Sequence, residues 1–462
     1  MACERKQRLQ QKRQASIRCA ASVTNRSTVG RRGRFRPAAA EEVDSEPCDL
    51  DLTDISFGGD AIGRVDGQVL FVPYGLPGER VRARVERRKR DYASASIVEV
   101  LSPSPDRVTP PCAVFGECGG CQWQHARYAA QLDMKRRVVA EQLRRIGGIA
   151  DADDLVRPCI GMIEPWQYRN HIRFSLGKKY GDVGYTYRES HRLLRVDFCH
   201  IAHPVVNEVL EKIQRKCAGL RAHQITVRYG SNTGDLLVSP ALPMVPEVES
   251  GQLVLSEEIL SRRFQISGSA FFQVNTRREH REVPDLIRAP WIADRSGSFS
   301  MADLLALLVL DRLEAQPEDV VLDAYCGVGS FSALIAPRVG RVVGIEESPA
   351  AVRDAARNTE DLENTQFMAG KVEDVVGSLV GTRVDAVVLD PARVGCAPQV
   401  IGALLDLRPR RIVYVSCDPA TLARDLRLLS DGGYDVQTVE PIDMFPQTYH
   451  IETVTTMCWG KG

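Results

Sequence analysis

The chain has 462 residues, with 60 Lys plus Arg balanced by 60 Asp plus Glu, and is long enough for two to four domains with cores of their own. No run approaches the ~18 apolar residues that a helical membrane span requires, so no membrane partner is expected. Thirteen cysteines are many for a reducing compartment unless several bind metal, and Cys112, Cys118 and Cys121 lie within ten residues of one another, which favours metal over disulfides.

Residues 1–40 carry eleven Lys or Arg and one acid, Glu4, without apolar periodicity that could build a core. Residues 1–43 are therefore expected to be a disordered basic tail in a cytoplasmic protein, with an organellar transit peptide as the competing reading. Over 44–104 short alternating runs are separated by glycine turns. They predict five strands, enough for a small closed β-barrel, with Asp66–Gly67 as a hairpin turn. Apolar residues alternate with Arg82 and Arg84, and Arg87, Arg88, Lys89 and Arg90 follow, so one face should be basic. Such a run is ordinarily a solvated face; on a barrel of this size it favours RNA. The stretch resembles the TRAM domain, an RNA-binding barrel.

Over 105–265 an α+β domain is predicted. CAVFGECGGCQW sets Cys112, Cys118 and Cys121 as C-x5-C-x2-C, with glycines that permit tight turns around a metal; zinc with a fourth ligand is the generic reading. Tyr128–Ile146 reads as an amphipathic basic helix ending at Gly147–Gly148. Antiparallel strands are expected at YRNHIRFSLG, VGYTYRES, HRLLRVDFC, HQITVRYG and GDLLVSP. Arg169, His171, Arg173 and Arg195 either face RNA or are ordinary strand exterior.

Residues 266–462 read as a catalytic α/β domain. Gln273 follows paired aromatics in SGSAFFQVNT, a position that is commonly structural, and segment 280–300 is longer than an ordinary connection. VVLDAYCGVGSFSALIA is strand, glycine turn and helix, the opening of a doubly wound sheet. Its third dinucleotide-turn position is Ser332, not glycine. RVVGIE ends on Glu346, placed like an acid that binds ribose hydroxyls. Strands at TQFMAG, DAVVLD, RIVYVSC, YDVQTVEPI and HIETVTTMCW complete seven. Asp390 ends the fourth and could simply cap a helix before Pro391. Asp418 suits an N-cap and Pro419 the first helical turn. Cys417 then sits at a strand tip facing a helix N-terminus, where its thiol pKa should fall. Glu452 is either a solvated face residue or a buried acid with a task.

VSCDPATLARDL followed by DMFPQTYHIETV resembles the carboxy-terminal signature of the S-adenosyl-L-methionine (SAM)-dependent RNA 5-methyluridine methyltransferases. The resemblance implies Cys417 as nucleophile and Glu452 as base. It directs Gln273, Tyr325, Ser330, Glu346 and Asp390 to SAM, or to the methyl and target base beside it, and assigns Cys112, Cys118, Cys121 and Cys199 to a [4Fe–4S] cluster. The implied fold is α/β: a class I SAM-methyltransferase doubly wound seven-stranded sheet, with an N-terminal TRAM-like barrel and an α+β iron–sulfur central domain. The implied partner is RNA, large-subunit ribosomal RNA first and tRNA second, met by a monomer. Ser330 stands where the family commonly has Asn or Thr, and Asp418 where it often has Asn. A cytosine-5 RNA methyltransferase needs no Glu452 partner of this kind, and a non-catalytic RNA-binding factor would be favoured by loss of Cys417 or Glu452; both are present.

Overall fold

The computed structural model describes residues 41–42, 46–288, 292 and 295–460; the tail expected over 1–43 lies outside them, apart from the backbone at 41–42. The architecture below is that of the compact unit Glu42–Gly462.

Five strands close the barrel. Cys48–Ile55 pairs with Ala61–Val65 and Arg80–Arg88, Ala61–Val65 with Gln68–Val72, and Tyr92–Ser102 joins Gln68–Val72 to Arg80–Arg88. Asp66 and Gly67 both have positive φ, 49° and 79°, the two-residue hairpin geometry that Asp-Gly favours. Val81, Ala83 and Val85 point inward and are buried, as their alternation with arginine requires. The basic face is partly neutralised, because Arg82 is bound to Asp49 at 2.8 Å and to Glu99 at 3.1 Å.

The five expected central strands form one antiparallel sheet, in the order Leu236–Ser239, Gln224–Tyr229, His171–Leu176, Val183–Thr186, Leu193–Arg195. The long segment before the catalytic sheet is in part a hairpin, Glu279–Glu282 against Ser296–Phe299.

The catalytic sheet runs Thr365–Ala369, Arg341–Glu346, Val320–Ala324, Ala386–Leu389, Arg411–Ser416, Glu452–Trp459, Tyr434–Ile442. Its first five strands are parallel, and Glu452–Trp459 runs antiparallel both to them and to the edge strand Tyr434–Ile442. Chain order reverses at Val320–Ala324, so a crevice opens beyond the carboxyl ends of the parallel strands. Alternation sends Val321, Val388 and Val413 into the core on one face and Leu322, Val387, Ile412 and Tyr414 into the core on the other, the two-sided burial that a parallel sheet needs. The helix Met301–Leu313 covers the first face. It is apolar on nearly every side and buried accordingly, and Ser300 and Asp303 close a capping box at its start.

The helix expected over Tyr128–Ile146 ends at Gln142 and passes through a π turn, Leu143–Gly147, to Gly148 with φ +69°. It buries Gln131 and Lys135 among its apolar residues, because both serve the connection 443–451. Lys135 Nζ donates to Asp443 Oδ1 at 2.6 Å, Phe445 O at 3.1 Å and His450 O at 2.7 Å, which satisfies all three of its donors. Tyr128 OH donates to the other Asp443 oxygen at 3.0 Å. Tyr168 and Asn275 reach the Pro446 and Met444 carbonyls at 3.0 and 3.1 Å. Both members of the Lys135–Asp443 pair are fully buried, so removing one strands a charge. Lys135→Met should cost about 3–5 kcal/mol in urea unfolding, and adding Asp443→Leu should recover much of that loss. An unchanged single variant would contradict this.

Candidate active site and four-thiol pocket

The glycine turn after Val320–Ala324 forms because Tyr325, Gly327 and Gly329 all take positive φ, at 67°, 54° and 78°. A Cβ on Gly329 would lie 3.0 Å from Ala355, so this glycine is needed for packing as well as for conformation. Glu346 ends the neighbouring strand, and its carboxylate accepts from Gly327 N at 3.1 Å and Ser348 N at 2.7 Å. These bonds fix the acid at the lip of the turn. Beneath it, buried Asp323 accepts from Ser332 Oγ at 2.6 Å, which explains why serine replaces the third dinucleotide glycine.

Cys417 follows Arg411–Ser416, and Asp418 caps the helix Pro419–Gly432, accepting from Ala420 N and Thr421 N at 3.0 Å each. Ser416 pairs with Thr453 and Ile442 with Glu452. The first register, carried one residue further, sets Cys417 opposite Glu452, where cross-strand neighbours share a face. Gln273, Tyr325, Ser330, Glu346, Asp390, Cys417 and Glu452 all line one cavity of ≈ 910 Å³, within the usual range for a ligand site. A turn without bulk, a braced acid and apolar walls from Phe331 and Leu334 suit a nucleoside bearing an amino-acid tail.

The electrostatics reverse one expectation. The Cys417 thiol is not lowered: burial first, then Glu452 and Asp390, push it up to about 12, with Arg393 opposing. The helix terminus is already engaged by Asp418, whose own charge adds to the rise. Glu452, 5% exposed, is held well above the carboxylate range by burial and then by Asp390. Asp390 is raised to about 7 by burial and Asp323. Three acidic groups thus crowd one desolvated crevice, and each favours the neutral form of the next.

Sequence reading missed Arg393 and Asp323. The Arg393 guanidinium lies 2.9 Å from His450 Nδ1, lines the cavity and is the cation that favours the charged forms of Cys417 and Glu452. The DPARVG string that flagged Asp390 contains it. Asp323 had only its place near a strand end as a signal.

Cys112, Cys118, Cys121 and Cys199 line a second pocket with Val114, Phe115, Tyr185, Val196 and Phe198. Their sulfurs are free of disulfides and close enough to interact: burial and the neighbouring thiols push Cys118 up to about 11 and Cys121 up to about 12. Gly120 N donates to Cys118 Sγ and Tyr185 OH to Cys199 Sγ, both at 3.4 Å. Among the described residues, no group of three or more His, Cys, Asp or Glu is gathered closely enough to hold a metal ion. Cys159, half-buried, and Cys217, buried, lie outside this pocket. Arg84, Arg87, Arg107 and Arg188, with Glu86 and Glu189, line a groove of ≈ 1020 Å³ between barrel and central sheet. His171 is pushed down to about 3 by burial and by Arg228, Arg173 and Arg169, so it stays neutral on a positive face.

With the crevice empty, alkylation at Cys417, followed by peptide mass mapping, should still be rising with pH above 9. Glu452→Gln should speed it at fixed pH by removing a neighbouring negative charge. A midpoint below about 8.5, the ordinary thiol value, would contradict this electrostatic picture.

A sequence model of the tRNA (Uracil-5-)-methyltransferase family matches residues 301–458, and one of the TRAM domain matches residues 48–98. An uncharacterised RNA methyltransferase of Halalkalibacterium halodurans is 35% identical over 449 residues, covering 88% of this chain and 96% of its own. One from Gloeobacter violaceus is 34% identical over 463 residues, covering 88% and 95%. The crystal structure of Pyrococcus abyssi tRNA (uracil-54, C5)-methyltransferase in complex with S-adenosyl-L-homocysteine shares the fold. Its TM-score is 0.65 at 23% identity, over 88% of this chain and 99% of that one. The chain belongs to the family of SAM-dependent RNA (uracil-5-)-methyltransferases.

Proposed function

We propose that the protein methylates carbon 5 of a specific uridine in RNA through a covalent Cys417–uracil adduct, and that large-subunit ribosomal RNA is its substrate. The observation that carries this reading is the meeting of Cys417 and Glu452 in one crevice with Gln273, Tyr325, Ser330, Glu346 and Asp390. When bound, SAM supplies an electrophilic methyl on a positively charged sulfur. Glu346 would take the ribose hydroxyls, the turn at Tyr325–Ser330 the adenosine and amino-acid backbone, and Gln273 and Asp390 the end beside the methyl. A positive charge in this crevice lowers the Cys417 thiol and both acids together.

Carbon 5 of uracil is a poor nucleophile. Addition of the Cys417 thiolate to carbon 6 makes carbon 5 an enolate carbon that can take the methyl. The product still holds the carbon 5 proton; Glu452 removes it, and elimination breaks the bond to Cys417. The base must be flipped from its stack to reach Cys417, and the Arg-lined groove beside the barrel supports a grip on the backbone. The barrel together with the four-thiol segment favours ribosomal RNA by resemblance. A tRNA substrate is favoured by the Pyrococcus abyssi enzyme, which shares the fold over 88% of this chain.

The resemblance assigns Cys112, Cys118, Cys121 and Cys199 to a [4Fe–4S] cluster; that all four line one pocket, with an N–H and an O–H donor on sulfur, supports the assignment. Anaerobically purified protein should then contain iron and labile sulfide, with broad absorption near about 400 nm. Zinc alone would overturn that assignment.

Assays on ribosomal RNA and tRNA with methyl-labelled SAM should give 5-methyluridine by mass mapping. Cys417→Ala should abolish both product and adduct. Glu452→Gln should trap a denaturation-resistant RNA–protein band carrying the label, and adding Cys417→Ala should erase it. A band that persists would implicate another thiol such as Cys396, which is buried and raised to about 12. Full turnover by Glu452→Gln would overturn the role of the base.

A further inference from the structure

The connection 443–451, which delivers Glu452, is fastened directly to the segment that carries Cys121. Gln122 N and Trp123 N both donate to the Gln447 carbonyl at 3.0 Å. Gln131 spans the two sides. The two N–H of its Nε2 are shared among Trp123 O at 3.1 Å, Ala126 O at 2.9 Å and Gln447 Oε1 at 3.0 Å, and its Oε1 accepts from Gln447 N at 3.0 Å. Gln447 is 2% exposed with φ +69°, a left-handed conformation that a non-glycine residue holds only when its surroundings fix it. Trp123 also ties this junction to the barrel: its Nε1 donates to Gly59 O at 2.9 Å. A Cβ on Gly59 would come within 2.9 Å of Tyr449 in the same connection.

We infer that Gln122, Trp123 and Gln131 form a latch that positions Glu452, so that the four-thiol pocket is coupled to proton removal and not to cofactor binding. None of the three lines the catalytic cavity, and each acts through Gln447, five residues before Glu452. Tyr325, Ser330, Glu346 and Asp390, which would hold SAM, follow or end the strands Val320–Ala324, Arg341–Glu346 and Ala386–Leu389, to which Gln122, Trp123 and Gln131 make no bond; Gln273 stands apart on a loop that Asn275 ties to the Met444 carbonyl. A slack latch therefore leaves Cys417 and the donor-site residues on those strands in place and displaces the base, while the separate Asn275–Met444 bond keeps the Gln273 loop seated.

The inference rests on the covalent reading above, and it makes a distinctive prediction: latch variants should imitate Glu452→Gln. In the full chain, Gln131→Met removes the side-chain bonds to Gln447 and keeps every thiol, whereas Cys121→Ser disturbs the pocket end. Both should bind S-adenosyl-L-homocysteine within about twofold of wild type while turnover falls about 100-fold, the cost of misplacing a catalytic group by about 1 Å. Both should also accumulate the denaturation-resistant, methyl-labelled RNA–protein band. Turnover that is unchanged, or that is lost without the band or together with S-adenosyl-L-homocysteine binding, overturns the latch. Glu452→Gln is run beside them: if it gives no band, the covalent reading fails, and if it gives one that the latch variants lack, only the latch fails.

Discussion

Desolvation at the carboxyl edge of the sheet is the constraint on which the rest depends. Parallel strands must end at a common edge, which gathers Tyr325, Glu346, Asp390 and Cys417; the antiparallel last pair adds Glu452 from the other direction. The result is a thiol and two acids, Asp390 and Glu452, that disfavour one another's charged forms, with Asp323 beneath them and Arg393 as the opposing cation. A site held neutral in this way is quiet when empty. Binding of a cation changes the balance for every member at once; under the proposed mechanism this would tie activation of Cys417 to arrival of the methyl donor.

That arrangement needs rigid support, because Glu452 is the first residue of its strand and its place depends on the connection 443–451 that leads into it. The buried Lys135–Asp443 pair, the Gln131–Gln447 pair and the Tyr168 and Asn275 bonds to backbone carbonyls supply it. They draw on the central helix, on the segment that leads into the central sheet and on the loop at Asn275. Those parts therefore help to fix the catalytic crevice.

Much of this was legible in the sequence. Period-two alternation located the barrel strands, and two-sided apolar runs located the parallel ones. The Asp66–Gly67 pair named its turn, and the candidate residues around the crevice came from strand ends and from the resemblance. What was not legible was long-range. The helix at Tyr128 reads as amphipathic because Gln131 and Lys135 look like solvent-facing residues until the connection they bind is packed against them. The raised Cys417 thiol was hidden for the same reason: Asp418 marked a helix start, but the neighbouring acids belong to strands about 27 and 35 residues away and lend their charge only once the sheet forms. Arg82 likewise reads as a free cation until Asp49 and Glu99 pair with it across the barrel.

The central claim, covalent activation of uracil by Cys417, is tested most directly with wild-type protein and substrate RNA carrying 5-fluorouridine at the target position. Fluorine cannot be removed as the proton is, so addition and methyl transfer can proceed and elimination cannot. The expected product is a SAM-dependent, denaturation-resistant complex of one protein per RNA, with the methylated fluorouracil mapped by mass spectrometry to the peptide containing Cys417. Attachment at any other residue, or the absence of a complex with an RNA whose uridine form is methylated, would contradict it.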